Sequence, residues 1–204
     1  MMMQALPSGH GTPRCGLFAG AALLLAALPS GVWAQGGGGS PSFPLACAFI
    51  DRGGELQNAD YCGAETAEGM VVAPAVSGAL GYRGGLASFA VTGRGWYYRR
   101  RDGVTREMVT FDNGPDEFVE GLARAKVDGK LAYVDRRLRI RVRTRYDWGD
   151  RFANGRAAVC VGCVATMVDG GEHRMMTGGR WGVIDRRGRE VVAVNRSERP
   201  SGTE

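Results

Sequence analysis

The chain has 204 residues, 26 basic and 21 acidic, for a formal charge of +5, with 33 glycines and only two lysines, Lys126 and Lys130. The length allows one domain with a real core, and the glycine content demands frequent turns. The modest charge, with no nucleic-acid motif, excludes a nucleic-acid binder of the usual strongly basic kind.

Residues 1–34 read as a secretory signal peptide. Arg14 precedes an apolar or small run from Leu17 to Leu28, and Val32-Trp33-Ala34 forms a small-residue cleavage site. The run has 12 residues, well short of the roughly 20 that span a bilayer as a helix. The expectation is export to a periplasm or to the outside, with no transmembrane segment in the mature chain. Cleavage would remove Arg14 and Cys15 and leave Cys47, Cys62, Cys160 and Cys163. Four cysteines in an exported chain favour disulfides, although spacing alone does not choose among the three pairings.

Residues 35–44 are rich in Gly, Ser and Pro, including Gly36 to Gly39, and read as a flexible leader. Leu45-Ala46-Cys47 has the ending of a lipidation site, but the apolar run stops far upstream at Leu28. Residues 45–80 form a β segment holding Cys47 and Cys62, with strand-like runs at Ala46–Ile50 and Met70–Ala73.

From Tyr82 onward the chain repeats itself. An aromatic recurs at Tyr82, Phe118 and Phe152; a glycine three residues on at Gly85, Gly121 and Gly155; an alanine two further at Ala87, Ala123 and Ala157. A second anchor lies at Trp96, Leu131 and Trp181, and a turn position seven residues later at Gly103, Leu138 and Gly188. The units span about 82–104, 118–142 and 152–192 within a repeat region of 81–195. Each reads as a three-stranded antiparallel meander. In the second unit Leu122–Val127 is one strand, Asp128-Gly129 is a tight hairpin turn, and Leu131–Asp135 is the return. A turn at Arg137-Leu138 precedes a third strand in which Ile140 and Val142 alternate with arginines. One meander cannot hide its own apolar face, so the units must pack on one another. The expected fold is all-β, an array of meanders that is either an open stacked sheet or rolled toward a barrel or propeller. Its expected repeat core is Phe118, Leu131, Tyr133, Ile140, Val142, Phe152, Trp181 and Ile184. Residues 196–204 read as a disordered tail.

Gly179-Arg180-Trp181-Gly182-Val183-Ile184-Asp185-Arg186-Arg187-Gly188 and Phe118-Val119-Glu120-Gly121-Leu122-Ala123 resemble the tryptophan–glycine (WG) repeat family in its exported bacterial form. The second unit has Leu131-Ala132 where that family has Trp-Gly, and the first has Trp96-Tyr97. The resemblance implies a β-repeat scaffold and no defined catalytic activity.

The third unit is lengthened by an insertion at 159–178, expected to form loops on one face. It carries Cys160, Cys163 and His173. Besides disulfides, two chemistries suit it: a zinc site completed by His173, and a thiol-redox pair, which would need a depressed thiol pKa. No nucleophile-elbow motif accompanies His173, and Asp112 and Asp147 recur as turn residues, so no catalytic constellation and no cofactor is expected. Arg139, Arg141, Arg143 and Arg145 alternate and put four guanidinium groups on one strand face, about 7 Å apart. Such a face suits an anionic envelope polymer or a protein partner; charge also keeps an edge strand from aggregating. The sequence therefore reads as an exported, non-enzymatic interaction module of the cell envelope, with a metal-binding or thiol-redox protein centred on Cys160 and Cys163 as the alternative.

Overall fold

A computed structural model describes residues 42–168 and 173–201. The fold is all-β and antiparallel, and part of it curls into a half-barrel. The signal-peptide reading lies outside the described residues.

The N-terminal segment supplies β1 (Leu45–Ile50), β2 (Leu56–Thr66) and β3 (Gly69–Val72), then one short helix, α1 (Pro74–Ala79). The first repeat unit is β4 (Leu86–Val91), β5 (Gly95–Arg100) and β6 (Thr105–Met108). A small hairpin, β7 (Thr110–Phe111) and β8 (Gly114–Pro115), leads to the second unit: β9 (Ala123–Val127), β10 (Lys130–Val134) and β11 (Ile140–Arg143). After β12 (Trp148–Gly149) comes the third unit, β13 (Arg156–Val161), β16 (Arg180–Asp185) and β17 (Glu190–Arg196), interrupted by β14 (Val164–Val168) and β15 (His173–Thr177). Each unit is a three-stranded antiparallel meander. The third strand of the first unit lies beyond the expected boundary at 104, because the turn at Arg100–Val104 precedes it.

Nine strands form one sheet in the order β11-β10-β9-β6-β5-β4-β1-β2-β3, and β12-β13-β16-β17 form a second. The large sheet curls until β3 approaches β6, where the Thr105 hydroxyl donates to the Met70 carbonyl at 2.5 Å.

Each unit opens on the same two-residue turn. Gly84-Gly85, Glu120-Gly121 and Asn154-Gly155 all have positive φ. The flanking pairs Arg83/Leu86, Val119/Leu122 and Ala153/Arg156 exchange backbone hydrogen bonds at 2.8–3.1 Å. Two successive positive φ angles make a type I′ turn, whose twist matches the flanking strands, and the glycine supplies the second angle without strain.

In the second and third units the aromatic before the turn couples to the preceding unit. Phe118 stacks on Tyr98 of the preceding unit (centroids 5.6 Å), and Phe152 meets Tyr133 at a tilt (4.5 Å). Each of the three aromatics also carries an arginine of its own unit: Arg101 over Tyr82, Arg136 over Phe118 and Arg186 over Phe152, at 4.4–6.0 Å. Leu131, Tyr133, Val142, Phe152, Trp181 and Ile184 are buried, while Phe118 and Ile140 are half-buried against Met108, Ala123 and Val134.

Two boundaries differ from expectation. Phe43 packs against the first core cluster, so the leader is anchored before residue 44. β17 runs to Arg196, and Arg199 donates to Asp150 (Nε–Oδ2 3.0 Å), so the chain stays held beyond the expected tail boundary at 196.

Candidate functional site

Cys47 on β1 and Cys62 on β2 are buried and lie at disulfide distance, with Cα atoms 5.6 Å apart. Cys160 ends the buried stretch of β13, and Cys163 lies at the entry to β14; they too lie at disulfide distance, with Cα atoms 6.0 Å apart. Both pack on Trp181, whose indole N–H donates to the Gly178 carbonyl at 2.7 Å. His173 pairs with Val168 in the β14–β15 ladder, but its side chain lies outside the described residues. Among the described residues, no group of three His, Cys, Asp or Glu side chains converges on a point where an ion could sit. Two cysteine pairs at bonding distance fit a compartment in which disulfides persist.

The insertion is not a loop but the β14–β15 hairpin. Among the described residues it is a sheet of its own, in which β14 and β15 pair only with each other. Of the nine large hydrophobic side chains exposed among the described residues, four lie on it or at its base: Val161, Val164, Met167 and Met175.

Arg139, Arg141, Arg143 and Arg145 are all exposed along and beside β11, which is an edge of the nine-stranded sheet. They do not form a free guanidinium row. Arg139 pairs with Asp135 (2.7 Å), Arg143 with Asp128 (2.7 Å) and Arg145 with Glu190 (2.6 Å), while Arg141 reaches Asp135 only at 4.0 Å. Glu190 also accepts from the Tyr146 hydroxyl (2.8 Å), which holds its carboxyl below the ordinary range.

One cluster escaped the sequence reading. Asp116 is fully buried and takes four hydrogen bonds: from the Arg124 backbone N–H (2.8 Å), Arg124 Nε (3.1 Å) and Nη2 (2.7 Å), and Arg151 Nε (2.8 Å). Arg124 also donates to the Gly149 carbonyl and lies over Trp148, while Arg151 lies over Phe111. Every carboxylate oxygen is occupied by the protein itself, so the cluster is a brace rather than a site. The strand alternation expected in Leu122–Val127 breaks here, because Arg124 turns inward to meet Asp116.

Comparison with protein-family models, with curated proteins and with solved structures finds no match to this chain. Among the described residues, no helix is long and apolar enough to cross a membrane.

Proposed function

We propose that this chain is an exported, non-enzymatic binding module of the WG-repeat type, which presents the β14–β15 hairpin to a partner protein. The observation that carries the reading is the concentration of exposed Val161, Val164, Met167 and Met175 on an element that packs little of itself against the scaffold. A two-stranded hairpin is marginally stable alone in water, and clustered exposed apolar side chains mark surfaces that a partner covers. Methionine adapts its shape to such a partner. The Cys160–Cys163 pair and Trp181 brace the base of the hairpin.

The test compares envelope proteins captured by the exported chain with those captured by a Met167→Glu/Met175→Glu variant of unchanged circular dichroism. A partner held by the first and lost by the second supports the reading; identical capture by both refutes it. Export is tested separately by sequencing the N-terminus of the mature protein, which should begin at Gln35. A thiol assay on that protein should find no free thiol, whereas two free thiols with stoichiometric zinc would favour a metal site at Cys160 and Cys163.

A further inference from the structure

We propose that the cleft between the second and third repeat units binds a phosphate group through Arg141, Arg186 and Arg187. The cleft has a volume of about 480 Å³ and is lined by those three arginines with Leu122 and Ile140. Its walls come from different units. Arg141 stands on the edge strand β11; Arg186 and Arg187 come from the β16–β17 turn; Leu122 follows the opening turn of the second unit.

The walls are held together by a close approach. Gly188 sits against Val142, so near that a Cβ on it would lie 2.8 Å from Val142 Cγ1. Arg186 is fixed by Glu120, through Nη1 to Oε2 (3.1 Å) and Nη2 to the backbone carbonyl (2.8 Å). Glu120 also accepts from the Gly155 N–H, which ties the opening turns of the two units together. Arg186 is therefore positioned before any ligand arrives, which lowers the ordering cost of binding at that contact.

The charges around the cleft do not balance. Asp135 is engaged at 2.7 Å by Arg139 and is 4.0 Å from Arg141, and Asp185 is engaged at 2.7 Å by Arg189. Arg187 forms no ion pair with a described residue; its backbone N–H alone is used, donating to Asp185 Oδ1. Of the three lining arginines, Arg186 is paired with Glu120, Arg141 reaches only an Asp135 already held by Arg139, and Arg187 pairs with no described residue, leaving two positive charges. A phosphate dianion matches that excess, and the planar guanidinium fork suits its oxygens. The two apolar side chains complete a wall that a bare surface arginine cluster lacks. The preceding junction carries Arg106, Arg136 and Arg137 at the corresponding positions, but there Arg100 spans the gap to the Arg137 carbonyl at 3.1 Å. This cleft shares no residue with the exposed face of the hairpin, so phosphate binding and partner capture can each be lost without the other.

The experiment titrates the full exported chain with inorganic phosphate by calorimetry at low ionic strength, and separately measures its sedimentation with phosphatidylcholine vesicles that contain or lack phosphatidate. Saturable phosphate binding should weaken about tenfold or more in Arg187→Gln and in Arg141→Gln. Arg143→Gln, on the same strand but paired with Asp128, should change it less than twofold. Arg187 holds no ion pair, so its variant keeps the fold and the test keeps its force even if the Arg141 variant is unstable. Phosphatidate-dependent sedimentation would show that the phosphate is carried on a surface; phosphate binding without it would show a soluble ligand. No saturable binding of either probe, or equal weakening by Arg143→Gln, overturns the proposal.

Discussion

Asp116 and Arg124 are the two charged residues buried among those described. The Asp116 carboxylate is fully buried and takes hydrogen bonds from two arginines, one of them also buried. Such a pair is weak evidence of net stabilisation, because desolvating the charges costs nearly what their attraction returns. Removing one member is different, since it strands the others. Asp116→Ala should lower unfolding stability by about 3–5 kcal/mol, measured by urea denaturation. Asp60→Ala, on an exposed stretch of β2, should stay within about 0.5 kcal/mol. An equal response from both would show that Asp116 is not the brace described. Nothing in the local sequence separates Asp116 from the neighbouring exposed Glu117, because its partners stand 8 and 35 residues away. The arginine row shows the converse limit. Alternation made Arg139, Arg141, Arg143 and Arg145 legible as one exposed set, but Asp128, Asp135 and Glu190, which occupy three of them most closely, come from other strands and turns.

The recurring element is the turn between the second and third strands of each unit. Asp135 and Asp185 each accept the backbone N–H groups two and four residues on, and each also accepts the side chain of the arginine at the fourth position. The Arg189 side-chain bond is the main reason that the Asp185 carboxyl lies below its ordinary 3.8; at Asp135 burial opposes the shift, and the Arg139 and backbone bonds outweigh it. A carboxyl that is more acidic in the folded chain contributes stability present above 3.8 and lost as pH falls through the folded value. The melting temperature should therefore decline as pH drops below about 4, and Asp185→Asn should flatten part of that decline. An unchanged slope in the variant would remove this turn as a cause. The same turn occurs at Asp51, which takes the N–H groups of Gly53 and Glu55, so β1 and β2 correspond to the last two strands of a repeat unit. That half-unit was hidden because no aromatic–turn–strand opening precedes it. β4 occupies the place beside β1 that its missing first strand would fill. The strands themselves were legible wherever a turn signal and an alternation coincided, as at Asp128-Gly129. The Trp-Gly pair has a steric meaning that pattern alone does not show. A Cβ on Gly182 would come within 2.5 Å of the Val192 carbonyl, because the β16–β17 register shifts between Trp181 and Val183. The second unit lacks that shift and keeps only the one between Tyr133 and Val134, which the third unit shares between Val183 and Ile184, and Ala132 is accommodated. Gly182→Ala should cost about 1–3 kcal/mol by overpacking, read from the midpoint of a urea transition; a neutral result would mean that β17 can move away freely.

At the scale of the molecule, the two cysteine pairs brace different things. Cys47–Cys62 joins β1 to β2 across a separation of 15 residues and lies in the core cluster that holds Phe49, Phe89 and Tyr97. This is the half-unit without a first strand, and it forms the curled end of the large sheet. Cys160–Cys163 spans three residues at the root of the hairpin, beside a sheet already paired through β13 and β16. Cross-linking stabilises chiefly by restricting the unfolded chain, more for a longer loop: roughly 3 kcal/mol for a closure of about 15 residues and roughly half that for one of about three. Cys47→Ser/Cys62→Ser should therefore lower stability by about 2–4 kcal/mol and loosen the N-terminal strands first. That loosening would be seen as early hydrogen exchange in β1 and β2 while β9, β10, β13 and β16 stay protected. Cys160→Ser/Cys163→Ser should cost less and should localise its exchange to the hairpin, where it would also weaken partner capture. A larger loss from the second pair, or a global loss of protection from either, would mean that the hairpin root rather than the curled end limits the stability of the array.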